Sequence, residues 1–106
     1  MPRWLVSLVR RIHRLAAAGR VRMTLKALRE LALLELGLDE QDACEVLAAL
    51  EVEDFSRRLA STRTGEWLYV FKPRVGGRSL YVKVVVREDC IVVSFHDEVE
   101  DEEDGE

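Results

Sequence analysis

Cysteine is scarce in this 106-residue chain, and neither Cys44 nor Cys90 has a neighbour at disulfide-framework or metal-ligand spacing. Both lie in apolar surroundings, so they are expected to be buried, reduced thiols of a cytoplasmic protein, and a structural zinc site is not expected. Long apolar runs are missing too. The stretch Trp4 to Val9 is apolar but is broken at Arg10 and Arg11, too early for a secretory leader and far too short to span a bilayer. No internal repeat is visible, and the length suits one modest core and not two, which predicts a single domain over residues 1–96 followed by a tail at 97–106.

The most telling absences are of charge. Residues 1–29 contain eight Lys or Arg and no acid, whereas residues 30–56 contain nine acids and no Lys or Arg. Residues 57–96 turn basic again, and residues 97–106 carry eight acids and no base, so without them the formal net charge would move from -4 to +4. A basic body suits a phosphate backbone, because each neutralised phosphate releases condensed counterions. The tail is too charged and too poor in apolar residues to pack, and is expected to be disordered. It either keeps the protein soluble or folds back over the basic face as a tethered nucleic-acid mimic.

Helical spacing marks the first half. Leu5, Leu8, Val9, Ile12 and Leu15 fall on one stripe, with Arg10, Arg11 and Arg14 mostly off it and Gly19 as a stop, giving a basic amphipathic helix over residues 1–19. Such a helix can also lie on an acidic membrane or take a helical partner. Thr24 can cap a second helix, with Leu25, Leu28, Leu31 and Ala32 recurring and Gly37 ending it. Asp39 can cap a third, with Ala43, Val46, Leu47 and Leu50 facing inward. A last helical stretch is expected through Arg58 and Leu59.

Residues 67–96 alternate instead. Trp67, Tyr69 and Phe71, then Leu80, Val82, Val84 and Val86, then Ile91, Val93 and Phe95 recur with period two, as successive side chains of a strand point to opposite faces. Turns at Gly76-Gly77 and Glu88-Asp89 close two hairpins that pair Phe71 with Val82 with Phe95, and Tyr69 with Val84 with Val93. A one-residue slip would bury a lysine in each of the first two strands. The expected class is therefore α+β, with N-terminal helices packed on a C-terminal three-stranded antiparallel sheet. The opposite face then carries an apolar row of Leu68, Val85 and Val92. At its other end Lys72, Tyr81 and His96 fall side by side, with Lys83 and Ser94 one row in. An imidazole that titrates near neutrality beside lysines suits proton transfer and charge stabilisation at a phosphodiester, although solvated sheet faces carry the same residue types without any chemistry.

Several segments carry a resemblance. Ala18-Gly19-Arg20-Val21-Arg22 with Thr24, Glu35-Leu36-Gly37-Leu38-Asp39, Cys44, Asp54-Phe55, Trp67, Phe71-Lys72-Pro73-Arg74, Tyr81-Val82-Lys83 and Ile91-Val92-Val93-Ser94-Phe95 follow one another as in the MqsR family. That family comprises bacterial toxins, the endoribonuclease halves of type II toxin–antitoxin pairs, and the likeness runs from about residue 15 to 95. It implies a RelE-like fold and a ribonuclease that needs no metal or cofactor and cuts mRNA at short GC-containing sequences. It also implies neutralisation by a cognate antitoxin with a helix-turn-helix or a zinc-ligand cluster. Carried over by position, the family's catalytic tyrosine falls on Tyr81, its C-terminal catalytic lysine on His96, an earlier lysine on Arg57, and a glutamine on Leu68. His96 is then the candidate for proton transfer with Tyr81 as its partner, and Lys83 and Arg57 would stabilise developing charge. Lys72, Arg74, Arg20 and Arg22 would hold RNA phosphates. Which group is acid and which is base stays open. The departures at Arg57, Leu68 and His96 leave a catalytically inactive RNA- or antitoxin-binding module as the alternative.

Overall fold

Helix α1 (Arg3–Ala17) opens the computed structural model, which describes residues 1–99. Its stripe of Leu5, Leu8, Val9, Ile12 and Ala16 is buried. Gly19, at φ +72°, ends it by turning the chain so that Gly19 N donates to Ala16 O and Arg20 N to Leu15 O, the paired bonds of a left-handed cap. Because that apolar stripe packs into the core, it is not available to a membrane or a helical partner. Among the described residues no helix is long and apolar enough to cross a membrane.

The chain then forms β1 (Val21–Met23), α2 (Leu25–Leu33), α3 (Glu40–Ala48), a 3-10 turn (Val52–Asp54), β2 (Phe55–Ala60), β3 (Trp67–Phe71), β4 (Arg74–Val75), β5 (Arg78–Val86) and β6 (Cys90–Asp97). Thr24 Oγ1 accepts from Ala27 N to start α2, and Asp39 and Asp42 exchange bonds in a capping box at the start of α3. On α3, Ala43 and Leu47, followed by Leu50, are buried as expected. On α2 the buried residues are Ala27 and Leu31, followed by Leu34, while Leu25 is exposed; the inward stripe is rotated from the predicted one.

The sheet is larger than three strands and it is mixed. Its order is β1-β6-β5-β3-β2, with β4 pairing β5 beside that path. β1 runs parallel to β6, and its three residues are too few to show a period. β2 replaces the expected helical stretch at residues 55–59. A bulge between Phe55 and Arg57 interrupts its alternation, which conceals a strand from a period-two search. Phe55 anchors it, edge-on to Trp4 at 5.5 Å and to Phe71 at 5.6 Å.

The first predicted hairpin has the expected register, with Phe71 opposite Val82 and Tyr69 opposite Val84 around a Gly76-Gly77 turn whose two residues both have positive φ. The second differs in detail. Its loop holds three residues, since Val86 pairs with Cys90, and an extra residue at Val93 then restores the register at Lys83 opposite Ser94, Val82 opposite Phe95 and Tyr81 opposite His96. As a result Cys90, Val92 and Phe95 face the helices, and Val85 pairs on the other face with Ile91 and not with Val92. The core lies between the three helices and this face, built on Ile12, Leu47, Phe71, Val82, Val84 and Phe95. Burial pushes the Cys90 thiol up to about 12, with nearby Cys44 adding to the rise.

Candidate functional site

The face turned away from the helices is organised by two bulges. Without the extra residue at Ser56, alternation would send Arg57 to the core; with it, Arg57 pairs with Val70. Without the extra residue at Val93, Ser94 would point toward the helices and Phe95 toward the opposite face. The two irregularities therefore align Arg57, Val70, Lys83 and Ser94 in one row across β2, β3, β5 and β6. Arg57 and Lys83 stand two strands apart in it, roughly 10 Å.

One row further along, Tyr81 and His96 are cross-strand partners, and their rings stack with centroids 4.8 Å apart and planes 13° from parallel. Tyr81 is fully buried, whereas His96 is half-buried. His96 Nδ1 lies 2.8 Å from Asp97 O, a carbonyl, so Nδ1 carries the hydrogen and in the neutral ring Nε2 holds the lone pair. Lys83 is buried as well, with its ammonium 5.9 Å from the Tyr81 ring centroid.

A groove of about 400 Å³ opens beside these groups, lined by Lys26, Arg63, Leu68, Lys83, Ser94 and His96, with Val93 at its wall. Two of its cations, Lys26 and Arg63, were not singled out from the sequence. Lys26 projects from the first turn of α2, which covers the edge of β6 beyond the end of β1. There its ammonium donates to Ser94 Oγ at 3.0 Å and Val93 O at 3.3 Å, while Glu30 one turn on accepts from Phe95 N at 2.9 Å. The i,i+4 spacing of Lys26 and Glu30, paired at 2.9 Å, was the available signal, but its target strand lies 68 positions away.

The other predicted residues separate. Lys72 follows β3 at the Tyr81 end, and its ammonium lies 3.2 Å from the Glu98 carboxylate. Arg74 donates to Gly77 O and borders a different groove, of about 530 Å³, together with Asp42, Glu45, Glu51 and Asp54. Arg20 and Arg22 both pair with Asp89, at 2.8 and 3.2 Å, beside the β5–β6 turn. Arg22 is level with Ile91, five residues from His96 along β6, or about 17 Å. The structure therefore brings together Tyr81, His96, Lys83 and, across the row, Arg57; it keeps Lys72 close by and leaves Arg74, Arg20 and Arg22 elsewhere. Leu68 lines the groove and contributes no polar group to it.

Among the described residues no group of three or more His, Cys, Asp or Glu is placed to hold a metal ion.

Comparison with known proteins matches residues 6–97 to the family described as motility quorum-sensing regulator, toxin of MqsA. The mRNA interferase toxin MqsR of Escherichia coli (strain K12) is 35% identical over 85 residues, which cover 79% of this chain and 85% of that protein.

Proposed function

Since the chain belongs to the MqsR family of toxins, we propose that it is an endoribonuclease that cleaves mRNA at short GC-containing sequences and is neutralised by a cognate antitoxin. The observation that carries this reading is the Tyr81–His96 stack at the edge of a groove whose cations are Lys26, Arg63 and Lys83.

The chemistry open to these groups is internal transesterification. The RNA 2′-OH loses its proton to a base and forms a bond to the adjacent phosphorus. The bond from phosphorus to the 5′ oxygen breaks, an acid returns a proton to that oxygen, and the products are a 2′,3′-cyclic phosphate and a 5′-OH. His96 can take or give the proton through Nε2, the nitrogen left by the Nδ1–H bond to Asp97 O. Tyr81, stacked on it, orients the ring. Lys83 stabilises charge on the non-bridging oxygens, and Lys26 and Arg63 hold the strand along the groove. Arg57, in the Lys83 row, keeps the positive charge that the family places there.

Leu68 favours one further reading. It puts an apolar side chain in the groove at the position of the family glutamine, as in a module that binds RNA or antitoxin without cutting. A defined mRNA fragment separates the two. Cleavage should generate new 5′-OH ends, be undiminished by EDTA, and fall about 10²- to 10⁴-fold in His96→Ala, with a similar direction in Tyr81→Phe. RNA binding with no new 5′-OH ends would establish the binding module. Loss of cleavage on chelation, restored by magnesium, would overturn the metal-free route.

A further inference from the structure

Past the Tyr81–His96 pair the open face ends in a small anion-binding arrangement that the chain fills with its own carboxylate. Ser79 precedes Tyr81 by two residues on β5, so it shares the same face roughly 7 Å further along. Its hydroxyl donates to Glu98 Oε1, and the Lys72 ammonium approaches Glu98 Oε2 at 3.2 Å. One cation and one hydroxyl donor thus converge on the two oxygens of a single anion, a geometry that serves a phosphate equally well.

Glu98 reaches this place because the end of β6 is clamped. Asp97 accepts from Arg78 Nη2 at 2.6 Å and Nε at 3.2 Å, and also from Val99 N at 3.3 Å, while Arg78 Nη1 donates to Leu34 O. That anchor turns the chain back over β5. The Ser79 bond, and after it the hydrogen bond from the Lys72 ammonium, hold the Glu98 carboxyl below its ordinary range, so it is anionic throughout the neutral region.

We propose that Lys72 and Ser79 form the subsite for an RNA phosphate flanking the scissile bond, and that Glu98 is a tethered competitor which must leave before that phosphate enters. The proposal deepens the ribonuclease reading and rests on it for the identity of the ligand. The Lys72 and Glu98 side chains are 28% and 38% exposed, so the ion-pair part of the contact contributes little in water. The contact therefore sets a threshold for binding and does not block it.

Inorganic phosphate tests the subsite without any need for cleavage. In an NMR titration followed at the Lys72 and Ser79 amides, Glu98→Gln should bind phosphate about two- to five-fold more tightly than the parent chain, and Lys72→Ala should remove that gain. A non-cleavable 2′-O-methyl RNA should show a gain of similar size at low salt that shrinks as salt is raised. Equal phosphate affinity in the parent and Glu98→Gln would overturn the proposal, as would a gain that survives Lys72→Ala. A phosphate gain in a protein that binds no RNA would leave the anion subsite standing and overturn both its assignment to RNA and the ribonuclease reading.

Discussion

The two faces of this sheet are made by the same strands and differ in almost every other respect. Toward the helices, Phe71, Val82 and Phe95 form one complete apolar row and Val84 and Val92 continue the next, all without solvent exposure. Away from the helices, the neighbouring positions on the same strands are Tyr81, Lys83, Ser94 and His96. Alternation alone produces the contrast along each strand, but the two bulges decide which residues are on which side. The lesson is that stability and chemistry are separated by one residue of register, so a change on one face should leave the other largely intact.

The largest effect expected from breaking that contrast is on the packed face. Phe71→Ala should cost about 3–5 kcal/mol in denaturant unfolding, because it removes a buried ring that also braces Phe55. Its counterpart on the open face, Arg57→Ala, should change stability by no more than about 0.5 kcal/mol while reducing cleavage. A comparable loss of stability in Arg57→Ala would mean that the open face is structural after all.

A smaller effect separates the faces by pH. Cys90 lies in the core and keeps its proton to about 12, whereas an unfolded thiol releases it near 9. The unfolded chain therefore binds fewer protons in that window. Stability should be complete below pH 9 and decline as pH rises from 9 toward 12, by on the order of 1 kcal/mol per unit from this group. Urea midpoints measured on the two sides of pH 9 should show this decline, and Cys90→Ala should lessen it; an identical decline in that variant would rule out the thiol as its cause.

The smallest effect sharpens the contrast between the two ends of the open face. At the β5–β6 turn, cations are matched by acids of the fold itself: Arg20 and Arg22 by Asp89, and Arg87 by Glu66 at 2.7 Å. At the Tyr81 end, Lys26 pairs with Glu30 at 2.9 Å and also lines the groove. Lys26→Ala should weaken RNA binding about two- to five-fold and reduce its salt slope by about one. Arg22→Ala should change neither by a measurable amount, and an equal response of the two variants would move the RNA path to the far end of the sheet.

Local signals made much of this legible in advance. The α1 stripe, the Thr24 and Asp39 caps and the Gly76-Gly77 hairpin are each encoded within a few residues, and the Tyr81–His96 pairing followed from parity. The pairing is the expected one although the second loop is one residue longer than expected, because the bulge at Val93 offsets it. Strand β2 reads as helix in the sequence because its bulge breaks the period that announces a strand. Strand β1 escaped notice because three residues carry no period, and what makes them a strand is β6, about seventy positions away. Arg20 and Arg22 read as RNA ligands in the sequence because Asp89, which pairs with both, is distant along the chain.

By itself, then, the amino-acid order determined what short-range physics can determine: the α1 and α3 stripes, the caps, the Gly76-Gly77 turn, the alternation that divides β3 and β5 into an apolar side and a more polar one, and the family through its ordered short segments. Tertiary structure alone decided which cations converge. Lys26 meets Ser94, Arg63 joins the same groove, Arg57 is shifted to the open face, and Glu98 settles between Lys72 and Ser79. Each of those meetings depends on pairings between distant segments, and on single extra residues that reverse a strand's faces, which periodicity within one segment does not encode.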